Sequence, residues 1–238
     1  LGVEFEGLAL PTRLELEERL PKAEIRDCSN LIRLIRMVKS PSEVARLRRA
    51  AEVSEEAAAD ALALVRPGGS MSDVVRRYRA LVGESGASFD HFSYGPSGVG
   101  LVSEADHRFA DGDFMAVDFG CTFQRFFADT GTTLVLRSLP KALLAKHVAL
   151  HECVEAGAEL ARPGVRASVV QAAMHDALAE HDIIATFPHG HGLGLEAHPG
   201  QGAGLDVRRI VGEGPDRARE LAVGDGVPDP LEARNVAQ

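Results

Sequence analysis

Apolar residues recur at helical spacing from residue 44 onward, as Val44, Leu47, Ala50, Ala51 and Val53. Ahead of them stands Ser40-Pro41-Ser42-Glu43, which supplies a start signal: serine as N-cap, proline at the first helical position. The alanine-rich stretch SEEAAADALALV extends or follows this helix until Arg66-Pro67-Gly68-Gly69 breaks it. Upstream the pattern is mixed. LGVEFEGLAL reads as a strand, TRLELEERLP as a short helix and KAEIRDCSN as a strand and turn, before the apolar run of Ile32, Leu34, Ile35 and Val38. Residues 1–38 therefore read as the tail of a preceding domain plus a connector, and residues 39–238 as one larger domain.

The larger domain repeats itself. LVRPGGSMSDVV matches LARPGVRASVVQ at a constant offset, so that Leu64, Arg66, Pro67, Gly68, Ser72 and Val74 recur as Leu160, Arg162, Pro163, Gly164, Ser168 and Val170. Arg-Pro-Gly alone is a good helix stop, but six matches in the same helix–turn–helix context favour a duplicated αα-β unit. Ser72 and Ser168 are placed to cap the helices that follow. Duplication predicts pseudo-two-fold symmetry, with a site in the seam between the halves.

Strand material follows the first helix pair, ending in FMAVDFGCTFQRFFADTGTTL, two runs rich in Val, Phe and Thr. With Phe123 and Gln124 as the loop, Thr122 pairs with Arg125, and Asp118 then faces Asp129 directly across the hairpin. Opposed residues have Cβ atoms about 4.5–5.5 Å apart, where like charges destabilise unless something offsets them. A shared cation is one remedy, and two independently solvated acids the alternative.

Composition narrows the partners. The chain has 238 residues and a formal net charge of −9, with no Lys/Arg run suited to nucleic acid. Cys28, Cys121 and Cys153 are far apart with no CxxC spacing, which points to reduced thiols and a cytoplasmic setting. No apolar run approaches the roughly 20 residues of a membrane span. Leu1 in place of Met suggests a chain that starts inside a longer protein.

The second half carries Phe187-Pro188-His189-Gly190-His191-Gly192-Leu193-Gly194-Leu195-Glu196-Ala197-His198. On extended backbone His189 and His191 share a face, and a glycine kink lets His198 swing elsewhere. Glycine beside a ligand permits close backbone approach. Two carboxylates with an imidazole suit Mn, Co, Fe or Zn better than Ca. Among the other histidines, His147, His151 and His175 fall at polar helical positions and are expected to be exposed. His107 and His181 read as loop residues. His91, beside Tyr94 in DHFSYG, is a candidate wall of a substrate cleft. Phe126 and Phe127 read as core. The glycine-rich GPSGVG lacks the strand–GxGxxG–helix setting of a nucleotide site.

VDFG followed by FADTGTT, then HGLGLEAH downstream, resembles the pita-bread metallopeptidase superfamily. RLIRMVKSPSEVARLRRAAEVSEEA resembles the linker and first helix of its Xaa-Pro aminopeptidase, prolidase and creatinase branch. The resemblance implies an α+β fold with two αα-β halves around a curved antiparallel sheet, and residues 1–38 as the remnant of a smaller N-terminal domain. It also implies a peptidase acting on Xaa-Pro peptides by metal-activated water, with one or two divalent ions. By motif Asp118 binds one ion, Asp129 bridges, His191 binds the second and His198 contacts substrate, with His189 and His91 nearby as substrate-binding candidates. The sequence departs from the family pattern further on. No TxEP-like glutamate motif follows His191, and Asp229 or Glu232, around Pro230, could substitute only with a shift in register. These departures give the expectation of a C-terminally truncated or degenerate copy, impaired in catalysis or acting as a creatinase-like hydrolase without metal. An exposed sheet edge in such a chain would favour a homodimer.

Overall fold

The computed structural model describes residues 1–5, 7–96, 106–162, 164–184 and 190–196. It contains two compact units, Leu1–Lys39 and Ser40–Gln238. In the first, strands β1 (Gly2–Val3) and β2 (Arg26–Asp27) pair in parallel, with helices α1 (Leu10–Arg19) and α2 (Ser29–Met37) following them in turn. The expected strand over LGVEFEGLAL shrinks to two residues. The apolar run from Ile32 is helical, because its spacing gives α2 an apolar side.

The second unit opens with helix α3 (Pro41–Leu62), and its start follows the local sequence closely. The Ser40 side chain accepts from the Glu43 backbone N–H while the Glu43 carboxylate accepts from that of Ser40, a reciprocal capping box with Pro41 at the first helical position. Helix α4 (Met71–Glu84) follows the Arg66-Pro67-Gly68 break. Its cap is Ser70 and not Ser72: Ser70 Oγ accepts from the Ser72 N–H at 3.1 Å and donates to Asp106 Oδ1 at 2.5 Å. Serine placed two residues earlier reaches the unpaired amides of the first turn, whereas Ser72 already lies inside the helix.

Strands β3 (Ser88–Pro96), β4 (Phe114–Phe123) and β5 (Phe126–Val135) form an antiparallel sheet in sequence order. Alternation along β4 decides what each face does. Val117, Phe119 and Cys121 are buried against α3 and α4, where Ala50, Val53, Ala57, Val74, Tyr78 and Val82 meet Phe92 and Tyr94 of β3. Tyr78 lies edge-on to Phe92 and Phe119 with centroids 5.2 and 5.7 Å away, and its hydroxyl is satisfied by Ser54 Oγ at 2.8 Å. Asp118 and Gly120 occupy the opposite face of β4.

Beyond the sheet, helices α5 (Lys141–Leu160) and α6 (Ala167–Ala179) pack together as a second helical pair. Gly68 and Gly164, equivalent in the sequence repeat, both take left-handed backbone, with φ of 81° and 86°. The capping expectation fails here too: Ser168 lies inside α6, and Arg166 at the N-cap offers no side-chain bond. His175 is exposed as expected, but His147 and His151 are half-buried on α5. Among the described residues no helix is long and apolar enough to cross a membrane.

Candidate metal centre

The hairpin loop is Gln124-Arg125, one residue later than expected. Both residues have positive φ, 49° and 73°, which is the mirror-image turn that matches strand twist. Placing the loop there lets Phe123 face Phe126 across the last rung, an apolar pair that the earlier register would have separated. As a result Asp118 faces Gly131 and Asp129 faces Gly120. The two aspartates are diagonal neighbours and not directly opposed. Slipping the pairing by two keeps both on one face, so the shared-face expectation survives the register error.

Gly120 sits between them on the rung that β3 completes with His91. A β-bulge between Phe89 and His91 makes this possible. Without the extra residue Asp90 would occupy the rung and His91 would turn toward the core. With it, His91 and Ser93 share the aspartate face while Phe92 and Tyr94 point inward. His91 Nε2 lies 3.3 Å from Asp118 Oδ1 and 3.7 Å from Asp129 Oδ1. Its Nδ1 lies 2.8 Å from Asp90 Oδ2, and since a carboxylate only accepts, Nδ1 carries a proton. The hydrogen bond to Asp118 foremost, opposed by burial and reinforced by Asp90 and by the charges of Asp118 and Asp129, raises the His91 pKa from 6.5 to about 9. Without another cation, His91 at neutral pH is an imidazolium between two carboxylates.

The fourth donor arrives from the glycine-rich segment. The Phe127 N–H on the outer edge of β5 donates to the Gly194 carbonyl at 2.9 Å, docking residues 190–196 beside the sheet. His191 Nε2 then lies 3.4 Å from Asp129 Oδ2, while its Nδ1–H donates to the Gly192 carbonyl at 3.1 Å. Asp129 thus turns one oxygen to His91 and the other to His191. Donor atoms of His91, Asp118 and Asp129 all lie within 4.8 Å of one another. Carboxylates and imidazoles together fit a borderline divalent ion such as Mn, Fe, Co or Zn.

Of the expected site residues, the structure therefore brings together Asp118, Asp129 and His191, and adds His91 at their centre where a cleft wall was expected. His189, His198, Asp229 and Glu232 lie outside the described residues. One signal for His91 was present: Phe92 and Tyr94 alternate with it, so an inward Phe-x-Tyr pair puts His91 on the opposite face. Two further histidines pair with carboxylates away from this site. His107 Nε2 meets Asp113 Oδ2 at 2.7 Å, and His181 Nε2 meets Glu152 Oε2 at 3.1 Å. Cys121 is buried with its thiol pushed up to about 11, chiefly by desolvation, and is no nucleophile.

The sequence model of metallopeptidase family M24 matches residues 45–225. The chain belongs to that family. The fold is the family's pita-bread fold: 83% of the chain superposes on prolidase from Pyrococcus horikoshii OT3 with a TM-score of 0.75 at 25% identity, covering 59% of that chain. Creatinase from Bacillus sp. (strain B-0618) is 26% identical over 229 residues, 89% of this chain and 55% of creatinase. The Xaa-Pro dipeptidase of P. horikoshii is 27% identical over 195 residues, 77% of this chain and 54% of the dipeptidase. The chain spans about half the length of these curated relatives.

Proposed function

We propose that this M24 chain carries the divalent-metal site of a peptidase that hydrolyses Xaa-Pro peptides. The observation that supports the reading is that Asp118 and Asp129 share one face of the three-stranded sheet, with His191 Nε2 brought to 3.4 Å from Asp129 Oδ2. Asp129, with its two oxygens turned to different histidines, is the bridging ligand if two ions bind. A divalent ion at such a site supplies an acidified water and polarises the scissile carbonyl. The chain's own contribution is positional. The sheet fixes Asp118 and Asp129, the Gly194 contact fixes His191, and His198 is assigned to substrate. Mn, Co, Fe and Zn all suit the donor set, and a homodimer in the cytoplasm completes the reading.

The test is release of proline from an Xaa-Pro dipeptide with added Mn or Co, using wild type and Asp129→Ala. Turnover in wild type, abolished in the variant and by chelation, supports the reading. Metal uptake without turnover sinks the catalytic part and leaves an impaired homologue. Similarity to creatinase supports a second reading, hydrolysis of a small C–N substrate, for which turnover of creatine insensitive to chelation and to Asp129→Ala would be decisive.

A further inference from the structure

We infer that His91 is itself a metal ligand, contributed by β3 to the site that Asp118, Asp129 and His191 form; the inference rests on the metal-site reading above. Three features of the surrounding structure converge on this one imidazole. The bulge at Asp90 re-aims His91 from the core face to the aspartate face. Gly120 leaves the ring its space: a Cβ there would come within 2.5 Å of His91 Cε1 and 2.9 Å of Nδ1. Asp90 Oδ2, 2.8 Å from Nδ1, fixes the tautomer and orientation of the ring so that Nε2 faces the carboxylates. A carboxylate on the far nitrogen of a histidine is the arrangement that orients metal-ligating imidazoles.

The spacing to Asp118 agrees with ligation, and that to Asp129 is slightly longer. Donors bound to one ion at about 2.1 Å stand about 3–3.5 Å from each other. His91 Nε2 is 3.3 Å from Asp118 Oδ1 and 3.7 Å from Asp129 Oδ1. The donor set at this position becomes one imidazole and two carboxylates, drawn from β3, β4 and β5, with His191 on the other oxygen of Asp129. An imidazole nitrogen beside the carboxylates shifts the preference toward Co and Zn and away from Mn, since imidazole suits the later metals. His91 is then a determinant of metal choice as well as of affinity.

Calorimetry and the visible spectrum of the Co(II) form test this on wild type, His91→Ala and Asp90→Asn, with circular dichroism confirming that each variant is folded. The expected result is a loss of at least tenfold in Co affinity for His91→Ala, a smaller loss in Mn affinity, and a changed ligand-field spectrum. Asp90→Asn should weaken Co binding about tenfold with little spectral change, as outer partners of ligating histidines do. In the Mn(II) form, pulsed electron paramagnetic resonance should lose one histidine nitrogen coupling in His91→Ala. Unchanged or tighter Co binding in a folded His91→Ala, with the same spectrum, overturns the role of His91 and leaves the Asp118–Asp129 site standing. Absence of Co and Mn binding in wild type overturns both.

Discussion

At the scale of single residues, Gly120 and His91 decide whether this face of the sheet can bind a cation. Gly120 is opposed by Asp129 on one side and His91 on the other, and a methyl group there would lie 2.5 Å from the Ala128 carbonyl oxygen, a backbone atom that cannot step aside. Gly120→Ala is expected to cost about 1–3 kcal/mol by overpacking and to displace the His91 ring. Chemical denaturation with Co titration checks it; a variant as stable as wild type with unchanged affinity contradicts this packing. His91 also sets a pH signature in chelator-treated protein. Its folded pKa is raised from 6.5 to about 9, so its contribution to stability is fully present below about pH 6.5 and lost as pH rises through 9. The melting-temperature advantage of wild type over His91→Ala should shrink across that window, and an advantage that grows with pH contradicts the assignment. The shared face of the two aspartates was legible from residue types and spacing, whereas His191 was singled out among the glycine-rich histidines only by the family resemblance. His91 was seen only as a cleft wall, because its partner Gly120 is far along the chain and the bulge at Asp90 breaks the alternation with Phe89.

At the scale of elements, local rules account for α3 and only partly for the hairpin. Ser40-Pro41-Ser42-Glu43 gave the start of α3 to the residue, since capping is a matter of adjacent groups. The hairpin was legible as a hairpin, but its loop is Gln124-Arg125, two non-glycine residues in left-handed backbone. Their conformation is held by tertiary contacts that no local pattern contains: Arg46 Nε donates to Gln124 Oε1 at 3.1 Å, and its guanidinium lies 5.5 Å from the Phe126 ring centroid. Pairing of Phe123 with Phe126 outweighs the backbone cost. Arg125→Gly should relieve that cost and stabilise the protein by about 1 kcal/mol. Denaturant midpoints of the two proteins would measure it, and a destabilised variant would show that the Arg125 side chain contributes more than its backbone costs. The helix caps of the repeat were misplaced for a related reason. Ser70 and Ser72 are both serine-type caps, and only the position of the helix axis selects between them.

At the scale of the whole molecule, strict alternation in β4 separates two tasks. One face of the sheet carries Val117, Phe119 and Cys121 into a core shared with α3 and α4, and the other presents Asp118 beside Asp129. The candidate donors on β3, β4 and β5 therefore stand on strands whose other face is packed into the core, which is what a site needing sub-ångström placement requires. The repeat of Arg-Pro-Gly turns, with Gly68 and Gly164 in the same backbone conformation, was legible because a left-handed position leaves a glycine behind. The chain's membership of metallopeptidase family M24 is what makes a metal centre on this face the reading to test. The most direct measurement is isothermal titration of the chelator-treated wild type with Co and with Mn, repeated on Asp118→Ala and Asp129→Ala. Saturable binding in wild type, weakened in Asp118→Ala and abolished in Asp129→Ala, is the result predicted here. No binding in the folded wild-type chain, or binding indifferent to both substitutions, would contradict it.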